Sequence, residues 1–288
     1  MKSPDGSSED GSGEGLIAPR LRILSYNIQS GLTTNRYTHY VTRGWKHLVP
    51  VPSRMHNLVG IANLVSRYDL VGLQEVDAGS LRSGFLDQAH YLADRARFEH
   101  YYAQTNRRVG RITRHCNVML SRIRPAEISD HKLPGRFKGR GALVARFGGN
   151  TPDSSLYVFV VHLALSRRAR KGQLQYLARK IDGLPYVIVM GDTNCASNTA
   201  EMQEFREEAG LVEPIAGLRT FPSWRPAQQL DHMLVSPALP VHAVEVLSYR
   251  YSDHLPIAME IDVPLEVRVN VLDRRRPPEN AQHWHNGA

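Results

Sequence analysis

Apolar and polar positions alternate with two different periods along most of this chain. Short runs of aliphatic and aromatic residues predict strands, and apolar positions three to four residues apart predict amphipathic helices. The predicted strands cover residues 21–29, 70–76, 117–120, 142–147, 156–163, 186–190, 230–236, 243–248 and 255–263. The predicted helices cover residues 53–68, 85–96, 201–209 and a segment that ends at 181, with Ser166 as its candidate N-cap. Because strands and helices alternate, we expect an α/β domain whose sheets are covered by helices.

The two ends of the chain differ in composition from the part between them. Residues 1–20 are rich in Gly, Ser, Asp and Glu and have no apolar segment, so we expect a disordered leader and not a secretion signal. Three arginines and two prolines follow one another in residues 264–288, which we expect to be a loosely structured tail. No repeat or linker divides residues 21–263, and this segment is predicted to be one domain.

The cysteine content and the lengths of the apolar runs indicate where in the cell the protein acts. Cys116 and Cys195 are too few for a disulfide framework and are typical of a reducing environment. No apolar run approaches the roughly 18 residues that a membrane-spanning helix needs. We therefore expect a cytoplasmic protein without a transmembrane segment, acting as a monomer.

Positive charge is concentrated in one segment. The formal net charge is +8, and residues 104–140 contain ten Lys and Arg residues but only Glu127 and Asp130 as acids. Such a segment can be an ordinary solvated face. It can equally attract polyanions such as nucleic acid or acidic lipid headgroups.

Polar side chains recur at the ends of the predicted strands. Strand ends on one rim of a sheet converge on a common crevice, so we expect these residues to meet. Asp231 differs from the others because it opens its strand. The set consists of Asn27, Glu75, His162, Asp192, Asn194, Asp231, Asp253 and His254.

The chemistry of this set favours a hard divalent cation. Carboxylate and amide oxygens prefer Mg²⁺ or Mn²⁺ to zinc, and the set contains no thiolate. Two imidazoles beside carboxylates can transfer protons or contact a phosphate. Each residue could instead have a structural role, as a paired buried carboxylate, a satisfied core histidine or a loop cap.

Six motifs in order make the pattern specific. SYNIQ, LQEVD, VVHL, GDTN, LDHMLVS and SDHLPI span about residues 21–261, and together the chain resembles the endonuclease/exonuclease/phosphatase superfamily, which has the deoxyribonuclease-I-like fold. The resemblance implies a four-layer α/β sandwich, with two packed mixed β-sheets flanked by helices. It also implies divalent-metal-dependent hydrolysis of phosphoester bonds in DNA, RNA, phosphoinositides or sphingomyelin.

The resemblance also implies a metal site. Glu75 is similar to the principal metal ligand of the family. Asn27 would lie beside the metal, and Asp253 resembles a carboxylate near it.

Five further residues resemble the catalytic groups of the family. Asp192 corresponds to the carboxylate that orients or deprotonates the attacking water, and Asn194 to the amide that holds this water and the phosphate. His254 resembles the imidazole that contacts the scissile phosphate or acts as acid or base, with Asp231 as its partner. His162 matches a second active-site histidine of the pancreatic-deoxyribonuclease-like branch.

Two positions bear on the substrate. Arg140 is a candidate phosphate contact. Trp224 could stack on a base or a sugar, although packing beneath its loop is equally consistent with the sequence. The basic residues between Ser166 and Lys180 are interpreted as a solvated helix face.

These features favour a DNA or RNA nuclease. Val76-Asp77 follows Glu75 where apurinic endonucleases usually carry a lysine, and this argues against abasic-site repair. Hydrolysis of lipid headgroups or small phosphoesters is the alternative within enzymes. A non-catalytic module that binds polyanions is the alternative from another class.

Overall fold

The computed structural model describes residues 19–31, 52–109, 113–135, 140–267 and 269. Nearly all of the predicted leader and most of the predicted tail lie outside these ranges. So do Arg111, Arg136 and Lys138 of the basic segment.

The first sheet has six strands in the order β10-β11-β1-β2-β4-β3. Strands β1 and β2 are parallel, and every other neighbouring pair is antiparallel. The bounds are β1 Arg20–Asn27, β2 Leu70–Asp77, β3 His100–Val109, β4 Thr113–Ser121, β10 Val241–Val246 and β11 Ile257–Asp262.

The second sheet has five strands in the order β5-β6-β7-β8-β9. Its single parallel pair is β7 with β8. The bounds are β5 Glu127–Lys132, β6 Gly141–Gly148, β7 Ser155–His162, β8 Val187–Asp192 and β9 Asp231–Val235.

In the described part of the chain, four α-helices cover the outer faces of the two sheets. Helices α1 (Pro52–Val65) and α2 (Gln88–Arg95) pack on the six-stranded sheet. Helices α3 (Arg167–Ile181) and α4 (Ala200–Glu208) pack on the five-stranded sheet. A third apolar cluster joins the inner faces of the two sheets. The predicted four-layer α/β sandwich is therefore confirmed.

Two glycines permit the close approach of chain segments near one rim. A side chain on Gly72 would meet Met190 at 2.8 Å and Val160 at 3.0 Å, so glycine lets the two sheets come together there. Gly191 has φ +140°, and a Cβ atom would lie 2.0 Å from the carbonyl oxygen of Val161. Only glycine fits at that position, where β7 and β8 end side by side.

The structure corrects parts of the predicted secondary structure. Strands β3 and β5 were not predicted, and β4 is longer than the predicted strand. Ser166 occupies the N-cap position of α3, but its side chain makes no capping hydrogen bond. Arg170 is buried and bonds Glu201 at 2.8 Å, so the basic face of α3 is only partly solvated. No helix in the described part of the chain is long and apolar enough to cross a bilayer.

Candidate active site

The strand registers align the polar side chains on one rim of the sandwich. His162 at the end of β7 lies opposite Asp192 at the end of β8, and Asp192 lies opposite Asp231 at the start of β9. In the other sheet, Asn27 at the end of β1 lies opposite Gln74 of β2. A hydrogen bond from Asn27 to Asp192 crosses between the sheets, and His254, which lies just before β11, bonds Asp231 of the five-stranded sheet.

The carboxylate of Asp231 fixes the ring of His254, and the hydroxyl of Thr220 bonds the same carboxylate. Nδ1 of His254 donates to Oδ2 of Asp231 at 2.7 Å, and Oγ1 of Thr220 donates to the same oxygen at 2.5 Å. Phe221 packs against the imidazole with ring centroids 4.9 Å apart. The other carboxylate oxygen of Asp231 is buried and has no hydrogen-bond partner among the described residues.

The environment of His254 favours its charged form. Burial alone would lower the pKa of His254, but the charge and hydrogen bond of Asp231 raise it. Asp192 and Asp253 add to this effect, and the pKa of His254 lies well above its ordinary value. His254 is therefore an imidazolium at neutral pH.

Asp192 is buried and oriented through both of its oxygens. Nδ2 of Asn27 donates to Oδ2 at 3.0 Å, and the backbone N–H of Asn194 donates to Oδ1 at 2.9 Å. Burial raises the pKa of Asp192 to about 7, His254 opposes this rise, and Asp231 and Glu75 add to it. A carboxylate with this pKa can take up a proton near neutral pH.

Asn194 and Glu75 both have left-handed backbone conformations, with φ 55° and φ 56°. Such conformations cost on the order of 1–3 kcal/mol outside glycine and cluster at functional sites. The side chain of Asn194 donates to the carbonyl of Leu163 at 2.9 Å.

Glu75 lies at an irregularity of β2, where the pairing with β4 shifts between Leu73 and Val76. The shift breaks the alternation of side chains and re-aims that of Glu75. Its side chain is 26 % exposed, and Oε1 lies 3.8 Å from Nε2 of His162.

His162 lies between acidic residues and an arginine. Its Nε2 is 3.5 Å from Oδ2 of Asp192, and an Nη1 nitrogen of Arg140 approaches the ring nitrogens at 2.8 and 2.9 Å. Burial lowers the pKa of His162 well below its ordinary value, and the charges of Arg140, His115 and His254 lower it further. His162 is therefore a neutral imidazole beside a permanent cation.

Asp253 is held by the segment that carries Trp224. Oγ of Ser252 donates to Oδ1 of Asp253 at 3.1 Å, and the backbone N–H of Ser223 donates to its carbonyl at 2.7 Å. Trp224 follows Ser223 directly and is half-buried.

The donor set of this rim fits a divalent cation. Four carboxylates (Glu75, Asp192, Asp231, Asp253) lie at this rim together with the cationic groups of Arg140 and His254. The ligand atoms of this set outside the histidines and the arginine are oxygens. Asp192, Asp231 and His254 have ligand atoms within 4.8 Å of one another. Because Nδ1 of His254 already donates to Asp231, we regard this trio as a proton-transfer group. Glu75, the most exposed of the four carboxylates, is better placed for a metal.

The structure brings together every residue that the sequence singled out for catalysis. It adds Thr220 and Phe221, which were not among the predicted site residues, although Phe221 begins the loop that carries Trp224. Neither lies at the end of an apolar run or in one of the six motifs, so no local signal identified them.

Comparison with known proteins identifies the family of this chain. The sequence profile of the Endonuclease/Exonuclease/phosphatase family matches residues 24–254. The uncharacterized protein YbhP of Escherichia coli is 31% identical over 257 residues, which cover 83% of this chain and 95% of YbhP.

Solved structures are similar in fold. An endonuclease/exonuclease/phosphatase from Beutenbergia cavernae has a TM-score of 0.66 and 21% identity, covering 85% of this chain and 72% of its own. The mannosyl-6-phosphatase of Bacteroides thetaiotaomicron has a TM-score of 0.63 and 17% identity, covering 84% and 100%. The chain therefore belongs to the endonuclease/exonuclease/phosphatase family of phosphoester hydrolases and has its α/β-sandwich fold.

Proposed function

We propose that this protein is a divalent-metal-dependent phosphodiesterase that cleaves DNA or RNA. The observation that carries the proposal is the pairing of a charged His254, fixed by Asp231, with a nearby carboxylate, Asp192, of pKa about 7. This places an acid and a base of opposite charge on one rim, as hydrolysis requires.

Glu75 with Asn27 and Asp253 would hold the cation, Mg²⁺ or Mn²⁺. When bound, the cation would offset the negative charge that builds on the phosphate oxygens during attack. The excess of carboxylate charge at this rim supports such a site, since each nearby anion raises the pKa of Asp192.

The other side chains of the site have separate roles in the reaction. Asp192 accepts the proton of the attacking water, while Asn27 and the backbone of Asn194 fix the direction of its oxygens. His254 places its positive charge against the scissile phosphate and can donate a proton to the leaving oxygen. Arg140 and the neutral His162 contact a second phosphate oxygen.

The charge of the chain supports a polyanionic substrate. The net charge is +8, and Arg140 lies beside His162 at the site. We assign base stacking to Trp224, the residue next to Ser223. We further propose that the protein acts in the cytoplasm as a monomer, in keeping with its two buried cysteines, which form no disulfide.

A substrate panel tests the proposal. The purified protein is incubated with Mg²⁺ or Mn²⁺ and plasmid DNA, single-stranded DNA, RNA, phosphoinositides or bis-p-nitrophenyl phosphate. We expect cleavage of nucleic acid that EDTA and Glu75→Ala abolish. Glu127→Ala serves as the control, because Glu127 is exposed and lies on β5. Turnover of lipids with no nucleic-acid cleavage would refute the nuclease assignment.

A phosphomonoesterase is the second candidate. It is favoured by the fold likeness to a mannosyl-6-phosphatase. Adding p-nitrophenyl phosphate and sugar phosphates to the panel distinguishes the two, since a phosphomonoesterase would prefer them to the diester. Tight nucleic-acid binding without any turnover would instead indicate the non-catalytic polyanion-binding module.

A further inference from the structure

A second buried histidine lies directly beyond Asp231, outside the catalytic group. Nδ1 of His232 is 2.9 Å from Oε1 of Glu213, and Nε2 is 2.8 Å from the carbonyl oxygen of Cys195. Ser197 and Gln229 also bond Glu213, at 2.6 and 2.5 Å. The contacts tie two separate segments, the turn at residues 195–197 and the segment at Glu213, to the start of β9.

The two ring nitrogens of His232 have different partners. Nδ1 faces the carboxylate of Glu213 and Nε2 faces the carbonyl of Cys195. Because a carbonyl oxygen only accepts, Nε2–H is the donor in the second contact. Burial would raise the pKa of Glu213, but the hydrogen bond and charge of His232 lower it below its ordinary value. Glu213 therefore holds one side of the His232 ring and leaves Nε2–H for the carbonyl of Cys195.

The carbonyl group that His232 bonds belongs to the turn that carries Asp192 and Asn194. Cys195 follows Asn194, whose left-handed backbone needs support from outside the turn. The backbone N–H of Asn194 in turn fixes Oδ1 of Asp192. Oγ1 of Thr193 also lies 3.3 Å from the Cys195 carbonyl, but it is equally close, at 3.2 Å, to that of Leu230. A hydroxyl has one proton, so His232 is the dedicated donor.

We propose that His232, aligned by Glu213, is a positioning residue that fixes the Asp192–Asn194 turn in its reactive conformation. The inference deepens the proposed function, because the turn carries the base and the amide assigned to the attacking water. Among the hydrogen bonds of the described residues, His232 bonds neither the side chain of Asp192 nor that of Asn194.

Two substitutions separate its two contacts. His232→Gln places an amide nitrogen near the position of Nε2 and keeps the donor to Cys195, whereas His232→Asn places it near Nδ1 and keeps only the donor to Glu213. With bis-p-nitrophenyl phosphate and Mn²⁺, we expect His232→Asn to lose about tenfold in kcat, the effect of one hydrogen bond. KM should change by less than about twofold, and His232→Gln should keep most of kcat. A purely structural role predicts that kcat per folded molecule is unchanged in both variants, which would overturn the proposal.

Hydrogen exchange gives a readout that does not depend on turnover. We expect the amides of residues 193–195 to exchange faster in His232→Asn than in His232→Gln or the wild type. Equal exchange in both variants would refute the positioning role, whatever the activity. If the wild type cleaves no phosphoester but the exchange differs as expected, the proposed function fails and the positioning role stands.

A milder variant covers the case in which His232→Asn does not fold. Glu213→Gln keeps an acceptor for Nδ1 but removes the charge that aligns the ring. We expect faster exchange at residues 193–195 and a kcat lowered by about threefold, less than the loss of a whole hydrogen bond. No change in either quantity would count against the proposal.

Discussion

A single oxygen of Asp231 receives two hydrogen bonds, one from His254 and one from Thr220. The hydroxyl therefore sets where the carboxylate points, and the carboxylate sets where the imidazole points. Thr220 is itself anchored, because its backbone N–H donates to Gln228 and its carbonyl accepts from Leu255. At the scale of the residue, the orientation of His254 depends on a side chain that need not touch the substrate.

Replacing Thr220 tests this dependence. Thr220→Val removes the hydroxyl at nearly constant shape, and we expect kcat to fall by about tenfold because a hydrogen bond to a charged group contributes roughly 1.5–3 kcal/mol. Thr220→Ser keeps the donor and serves as the matched control. Steady-state kinetics with bis-p-nitrophenyl phosphate measure both variants, and equal rates for Val and Ser would contradict the role.

The raised pKa values of Asp192 and His254 predict a bell-shaped pH profile. Asp192 must lose its proton to act as a base, so kcat/KM should rise as pH increases through about 7. His254 must keep its proton, so kcat/KM should fall only at a pH well above the ordinary pKa of histidine. A higher concentration of metal should move the acidic limb to lower pH, because a cation favours the carboxylate. A flat profile between about pH 5 and 9 would contradict these assignments.

Arg122 has a structural role, because it connects two helices to the strand that precedes it. It follows β4, and its guanidinium donates to the carbonyls of Ser66 and Tyr68 beyond α1 and to those of Ala96 and Arg97 beyond α2. Carbonyls at helix C-termini lack partners within the helix, and a cation there also interacts favourably with the helix dipole. One buried side chain thus fastens both helices of the first outer layer to the sheet.

Removing this side chain should lower stability without changing the chemistry. We expect Arg122→Ala to reduce the free energy of unfolding by about 3 kcal/mol or more, since four carbonyls lose a donor. Urea unfolding measures the change, and kcat per folded molecule should stay near the wild-type value. Arg124→Ala is the control because Arg124 is exposed nearby. An equally large loss of stability in Arg124→Ala would refute this structural role of Arg122.

Some elements were predictable from the sequence because their pattern matches their burial. The apolar run before Asp192 forms β8, which is buried throughout. Strand β5 lies at a sheet edge, is half-exposed and reads EISDHK, so no apolar pattern marks it. The strand-end residues of the site were found because short motifs carry them. Thr220 and the irregularity at Glu75 depend on contacts between distant segments, which a local pattern does not encode.

The charge of the whole molecule makes a separate prediction about salt. With a net charge of +8, contacts to a nucleic-acid backbone should release counterions, so cleavage of DNA or RNA should fall steeply as salt increases. Bis-p-nitrophenyl phosphate is too small to contact the basic surface outside the site, so its turnover should change much less with salt. Similar salt dependence for both substrates would indicate that the basic segment is an ordinary solvated face.

The catalytic group is divided between the two sheets. Asn27 and Glu75 belong to the six-stranded sheet and His254 lies just before its strand β11, while Asp192 and Asp231 belong to the five-stranded sheet. The apolar seam between the sheets therefore sets the alignment of two half-sites. A core substitution at this seam, such as a larger side chain at Gly72, would act as a catalytic mutation because it would slide one half-site past the other.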